Sequence, residues 1–181
     1  GVHVVYGIVG LKTHAKTTLV IRREQDDFRS YAHIGTGNYN PITARQYTDL
    51  GLFTADPAIT RDLTDLFHYM TGRSLKSQYN KILVAPVTMK ETFLQLIQKE
   101  IDNKKENKPA EIIAKMNSLE DKDMIQKLYE ASEAGVKIQL IVRGFSCLRP
   151  GVKDLSKNIH VISTLGRFLE HSRVFYFRDG Q

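Results

Sequence analysis

The chain has 181 residues, with 26 Lys and Arg against 20 Asp and Glu, a net charge of +6 and a pI near 9.4. That length supports one large or two small domains with real cores, and the basic balance favours anionic partners: nucleotides, nucleic acid, polyphosphate or an acidic membrane surface. A composition of 41% hydrophobic and 25% charged residues without low-complexity tracts excludes a disordered chain, and the single Cys147 excludes an internal disulfide and fits a reducing compartment. No apolar run approaches the roughly 20 residues of a membrane span. The chain begins without Met at a strand-like Val2–Tyr6 and stops at the turn signal Arg178-Asp179-Gly180-Gln181, so it is expected to be a fragment of a longer protein.

In chain order, Tyr6–Val9 reads as a strand, Gly10–Thr13 as a turn and Ala15–Arg23 as a second strand. Phe28–Ile34 reads as a third strand and runs into the loop Gly35-Thr36-Gly37-Asn38-Tyr39-Asn40-Pro41; residues 44–53 are irregular. Asp56 as N-cap with Pro57 at the first helical position opens a helix whose face is Leu63, Leu66, Phe67 and Met70, ending near Gly72. Residues 73–80 are polar and aperiodic, and a domain boundary is placed there, giving domains of 1–80 and 81–181.

Ile82-Leu83-Val84-Ala85 then reads as a buried strand, and Thr88 with Glu91 as a capping box before a helix with Phe93, Leu94, Ile97 and Ile101 inside. Strands are expected over 111–117, 136–142, 158–163 and 171–177, with a helix over 121–134 closed by Gly135. This order of strands and helices is an α/β layered pattern.

The candidate chemistry begins at His14. On a strand, residues two apart share a face, so His14 and Lys16 look the same way. An imidazole that can serve as nucleophile or base beside a fixed ammonium suits a reaction at phosphorus. The ordinary reading of one such pair is a surface residue at a strand end. However, the pattern occurs twice. Val2-His3-Val4-Val5 leads to Leu11-Lys12-Thr13-His14-Ala15-Lys16, and Ile159-His160-Val161-Ile162 leads to Phe168-Leu169-Glu170-His171-Ser172-Arg173. His3 and His14, like His160 and His171, are 11 positions apart, and each motif is followed by an apolar strand. Two copies of one unit, each delivering His-x-Lys or His-x-Arg, point to a pseudo-symmetric site with two histidines facing across a cleft. Arg143 emerges at the carboxyl end of a buried strand, where α/β ligand sites gather, and its fork geometry fits phosphate.

These motifs resemble the phospholipase D superfamily, whose glycine-serine/threonine-x-asparagine element is similar to Gly35-Thr36-Gly37-Asn38. Within that superfamily the strings Gly10–Lys16, Ala32–Asn40, Leu140–Gly144 and Leu169–Val174 resemble the polyphosphate kinase family over essentially the whole chain. The resemblance implies two phospholipase D-like α/β units, each a mixed β-sheet flanked by helices, the first incomplete at its N-terminus. The first would be the end of one catalytic carboxy-terminal domain and the second most of another. A hydrolytic phospholipase D pattern wants an Asp five residues after the basic residue, where this chain has Ile21 and Arg178.

The resemblance implies that His14 attacks the γ-phosphate of ATP and passes the phosphoryl group to polyphosphate, with Lys16 stabilising the developing charge. It assigns His171 to the nucleotide site as the partner that protonates or hydrogen-bonds a phosphate oxygen. Arg143 and Tyr47 become nucleotide contacts and Arg173 a phosphate clamp, with a structural ion pair as the rival reading for Arg173. Gly35, Gly37 and Asn38 can bring N–H groups and an amide to phosphate, a plain turn being the ordinary alternative, and Arg45 is a weaker polyanion contact. His3 and His160 are read as structural, His33 and His68 receive no role, and Cys147 is expected to be packed.

Magnesium would bridge the nucleotide phosphates, but no carboxylate cluster resembles a metal site, so its ligands are expected outside this chain. The partners implied are ATP, ADP and polyphosphate, in a homo-oligomer without a transmembrane segment or a specific nucleic acid. The compartment implied is the cytoplasm, with or without membrane association. Two other classes stay open: a phospholipase D-type phosphodiesterase or nuclease, and a basic polyanion-binding module without catalysis. The second lacks the aromatic-basic interleaving of stacking platforms. The isolated fragment is expected to be inactive.

Overall fold

The computed structural model describes residues 1–74 and 78–181. The boundary expected over 73–80 therefore falls partly on residues 75–77, outside the described residues. The chain forms two compact units. One is Gly1–Tyr39 with Leu50–Met89, and the other is Asn40–Asp49 with Lys90–Gln181.

In the first unit, β1 (Thr17–Glu24) pairs antiparallel with β2 (Asp27–Gly35), from Thr17 opposite Ile34 to Glu24 opposite Asp27. The other edge of β2 pairs antiparallel with β4 (Gly51–Thr54). The α/β expectation stands, but this sheet is antiparallel throughout, not mixed. Residues 1–16 contribute no strand. The β-branched residues of Val2–Val5 do not suffice, because a strand needs a partner for its N–H and C=O groups. This segment joins no ladder, and Val2 and Tyr6 are 90% and 98% exposed.

Helix α1 (Pro57–Met70) starts as expected: the Asp56 carboxylate accepts from the N–H groups of Ala58 and Ile59. Its Leu63 and Leu66 pack with Ala32 of β2, and Tyr79, Ile82 and Val84 close over them. The strand expected over Ile82–Ala85 does not form. Asp62, fully buried on α1, takes the N–H groups of Asn80, Lys81 and Ile82 at 2.8, 2.6 and 3.2 Å. The Thr88 hydroxyl accepts from Val84. The donors a ladder would use are already bound to side chains.

In the second unit, β5 (Glu111–Met116), β6 (Lys137–Val142) and β7 (Ile159–Ile162) are parallel neighbours, and β9 (Val174–Phe177) pairs antiparallel with β5. The sheet is thus mixed, in the order β7-β6-β5-β9. Helix α2 (Met89–Lys105) brings Ile97 and Ile101 to it, and α3 (Lys122–Glu133) brings Leu128 and Ala131. Ile112, Ala114, Ile138 and Leu140, alternate residues on their strands, form the facing layer. Asp121 caps α3, and Gly135 follows it at φ +93, a left-handed conformation that suits glycine. A short parallel pair, β3 (Tyr47–Thr48) with β8 (Leu169–Glu170), completes the unit.

Cys147 is exposed, not packed. It lies on the connection after β6, where its neighbour Leu148, 4% exposed, takes the interior place. Among the described residues no helix is long and apolar enough to cross a membrane.

Candidate functional site

The first unit positions His14 and Lys16 just ahead of β1, where the β1–β2 ladder ends. The Gly35 N–H donates to the Lys16 carbonyl at 2.8 Å, which ties the glycine loop to the His-x-Lys segment. His14 and Lys16 are not on a strand, yet the relation expected of residues two apart on an extended chain holds. Lys16 is only 8% exposed. Its Nζ lies 2.9 Å from both ring nitrogens of His14 and 3.0 Å from the His14 carbonyl oxygen. A buried ammonium thus sits where charge would develop on a group bonded to either ring nitrogen.

Beyond Gly35, the Thr36 N–H donates to the Leu50 carbonyl at 3.0 Å, and the Thr36 hydroxyl accepts from the Leu50 N–H at 3.0 Å. The loop is therefore tied to the start of β4, and Asn38 at its tip is exposed. His33 lies on β2 beside this loop, 2.7 Å from the Tyr39 hydroxyl and with its ring centroid 4.5 Å from that of Phe53. A Cβ on Gly35 would meet the His33 ring at 3.1 Å, so the glycine permits a close approach there.

The second unit gathers Tyr47, Asp49, His171 and Arg173. The parallel register places Tyr47 opposite Leu169 and Thr48 opposite Glu170, and the Thr48 carbonyl accepts from the N–H groups of His171 and Ser172 at 3.2 and 3.0 Å. Tyr47 and Asp49, two apart, both meet the His171 ring. Asp49 Oδ1 is 2.7 Å from Nδ1, and the Tyr47 ring centroid is 5.1 Å away. The His171 side chain is 10% exposed. A carboxylate on Nδ1 accepts its proton and leaves Nε2 to accept from, or donate to, a substrate oxygen. Arg173 Nη1 lies 3.5 Å from that Nε2 and donates to the His171 carbonyl at 3.2 Å.

Arg143 follows β6 directly. Its N–H donates to the Met116 carbonyl at 3.1 Å, and its Nη2 donates to Asn117 Oδ1. Its Nη1 is buried and has no hydrogen-bond partner among the described residues. A buried guanidinium donor is costly to leave unpaired, and its fork fits a carboxylate or a phosphate oxygen. Arg45 lies in a 3₁₀ turn (Thr43–Arg45) and is exposed. His160 stands exposed on β7, and His3 lies outside any strand, so the two are not equivalent inner-strand positions.

Among the described residues no three His, Cys, Asp or Glu side chains converge as a metal site. Asp49 and Asn117 are the residues sequence reasoning missed. Asp49 was visible only as the second residue after Tyr47, which shares its face on an extended segment.

Comparison with known proteins divides the chain in sequence order, so residues 40–49, which fold with the second unit, fall in the first match. The family model described as polyphosphate kinase C-terminal domain 1 matches residues 1–76, and that of C-terminal domain 2 matches residues 82–181. The polyphosphate kinase of Synechocystis sp. is 59% identical over 180 residues, covering 99% of this chain and 25% of the relative. That of Halalkalibacterium halodurans is 55% identical over 180 residues, covering 99% and 26%. The crystal structure of polyphosphate kinase from Porphyromonas gingivalis matches with a TM-score of 0.88 at 42% identity, over 97% of this chain and 29% of that one. The chain spans about a quarter of the length of the curated relatives it matches. Both family models occur in succession along nearly its whole length, and the chain belongs to the polyphosphate kinase family.

Proposed function

We propose that the protein to which this chain belongs is a kinase that transfers the terminal phosphate of ATP reversibly to polyphosphate, through a phosphohistidine on His14. The carrying observation is the buried Lys16 ammonium, 2.9 Å from both ring nitrogens of His14. An imidazole nitrogen attacks the γ-phosphorus, the bond from phosphorus to the bridging oxygen breaks, and the electron pair leaves on ADP. A terminal oxygen of polyphosphate then attacks the same phosphorus and the N–P bond breaks, regenerating His14. Lys16 balances charge on the phosphoryl oxygens in both steps. His171, oriented through Nδ1 by Asp49, presents Nε2 to a nucleotide phosphate oxygen. Arg143, Arg173 and Tyr47 hold the nucleotide; Gly35, Gly37, Asn38 and Arg45 contact phosphate. Magnesium ligands lie outside this chain, and the full protein is a homo-oligomer.

Arg178 lies 3.9 Å from Glu111, and Ile21 is 57% exposed. Neither supplies the carboxylate that a hydrolytic phospholipase D pattern has after each motif, which favours the kinase over a phosphodiesterase.

The test is a phosphoenzyme trap on the full-length parent with γ-labelled ATP and magnesium, quenched in alkali. Alkali-stable, acid-labile label that disappears in His14→Ala is expected. Label lost in His171→Ala but kept in His14→Ala would reverse the two roles. An absence of label in the wild type with ATP bound would overturn the covalent mechanism.

A further inference from the structure

Lys115 lies on β5 and carries none of the roles above. Its side chain is 19% exposed, and its Nζ donates to Glu170 Oε2 at 2.6 Å and to Ser172 Oγ at 2.7 Å. These two residues flank His171. On an extended segment, neighbours one before and one after a residue project to one side and the residue itself to the other. A cation that holds Glu170 and Ser172 together therefore turns the intervening imidazole away from itself, and that imidazole meets Asp49 at 2.7 Å. We propose that Lys115 is a positioning residue for His171, fixing the orientation of its segment by gripping both flanking side chains. The proposal rests on the reading of His171 as a group that acts on the nucleotide phosphate.

Three further features support it. Ser172 is 8% exposed, so the grip is inside the structure, not at its rim. The Lys115 ammonium, hydrogen-bonded to Glu170, holds that carboxyl below its ordinary range, which favours the carboxylate as acceptor. The Thr48 carbonyl fixes the His171 and Ser172 N–H groups, so Lys115 adds the side-chain constraint that the backbone bonds lack. Desolvation offsets much of the Coulomb attraction in an ion pair removed from water. What such a pair contributes here is direction: an ammonium shared between two acceptors permits one geometry of the segment. A leucine at 115 would pack but would remove the bonds that tie Glu170 to Ser172.

The experiment measures ATP-dependent polyphosphate synthesis by the full-length parent carrying Lys115→Met, Lys115→Arg, His171→Ala and the double variant Lys115→Met/His171→Ala. Lys115→Met is expected to lower kcat by roughly tenfold or more, as the loss of an oriented acid–base group does. The KM for ATP should stay within about threefold, since the loss falls on the transition state. Lys115→Arg should restore most of kcat. In the His171→Ala background, Lys115→Met should change kcat less than about twofold, because two residues acting through one group are not additive.

An unchanged kcat in Lys115→Met, beside a crippled His171→Ala, overturns the positioning role alone. An equal loss from Lys115→Met in both backgrounds also overturns it, showing a structural effect independent of His171. Wild-type kcat in His171→Ala overturns the reading of His171 and the proposal with it. If Lys115→Met does not fold, Glu170→Gln with Ser172→Ala, keeping the lysine, must show the same kcat loss and the same non-additivity with His171→Ala.

Discussion

His171 and His14 illustrate how differently two similar motifs are built. Each histidine is followed two residues later by a cation that donates to the histidine's own carbonyl, but Lys16 reaches the His14 ring at 2.9 Å while Arg173 stands 3.5 Å from His171 Nε2. The His171 ring takes its orientation from a carboxylate, Asp49. Asp49→Asn is expected to reduce kcat by roughly ten- to a hundredfold, because an amide can donate to Nδ1 and stabilise the opposite tautomer. The phosphoenzyme trap on the full-length protein checks this: label should form slowly in Asp49→Asn and reach its usual level at long times. The motif made both His-x-basic pairs legible. It did not reveal Asp49, 122 residues away from His171 along the chain, because no local pattern carries a pairing of that range.

At the scale of elements, caps and periodicity marked the helices well. Asp56 caps α1 where the sequence places it, and Asp121, expected as the first residue of its helix, is the cap of α3. The expected strand at Ile82–Ala85 failed because side chains competed with a ladder. Asp62 is the main case. Burial pushes its carboxyl up, but the N–H groups of Lys81 and Ile82 and the side chain and backbone of Asn80 outweigh burial and hold it below its ordinary value. A depressed folded pKa contributes stability that is fully present above the unfolded value of about 3.9 and is lost as pH falls through the folded value. Asp62→Ala should therefore cost about 1–3 kcal/mol at neutral pH, the penalty for stranding buried donors, and should make unfolding less steeply pH-dependent below about pH 4. Urea midpoints measured at pH 7 and pH 3 check both; equal destabilisation at the two values would overturn the assignment. In the sequence, Asp62 looks like one more polar residue on a helix, and its burial is decided by what folds over it.

For the whole molecule, the net charge of +6 predicts a salt-dependent attraction to polyanions. The 181-residue chain is expected to be retained on immobilised polyphosphate at low salt and released as the Debye length falls to a few ångströms near 1 M salt. It should not turn ATP over by itself, since it spans about a quarter of its relatives' length. Retention that ignores salt, or turnover by the isolated chain, would each contradict these expectations. The α/β class, the three helices, the Asp56 cap, the strands of the parallel core and the His14-x-Lys16 and His171-x-Arg173 pairs were all present in the amino-acid sequence, because periodicity, capping and short motifs are local. Tertiary structure alone decided that residues 1–16 form no strand, that Ile82–Val84 lies bound to side chains instead of in a sheet, and that Asn40–Asp49 folds with the second unit. It also decided that Asp49 meets His171, that Asn117 meets Arg143 and that Lys115 meets Glu170 and Ser172. Whether a backbone or side-chain donor finds its acceptor depends on which distant segment arrives beside it, and that is settled only when the chain has packed.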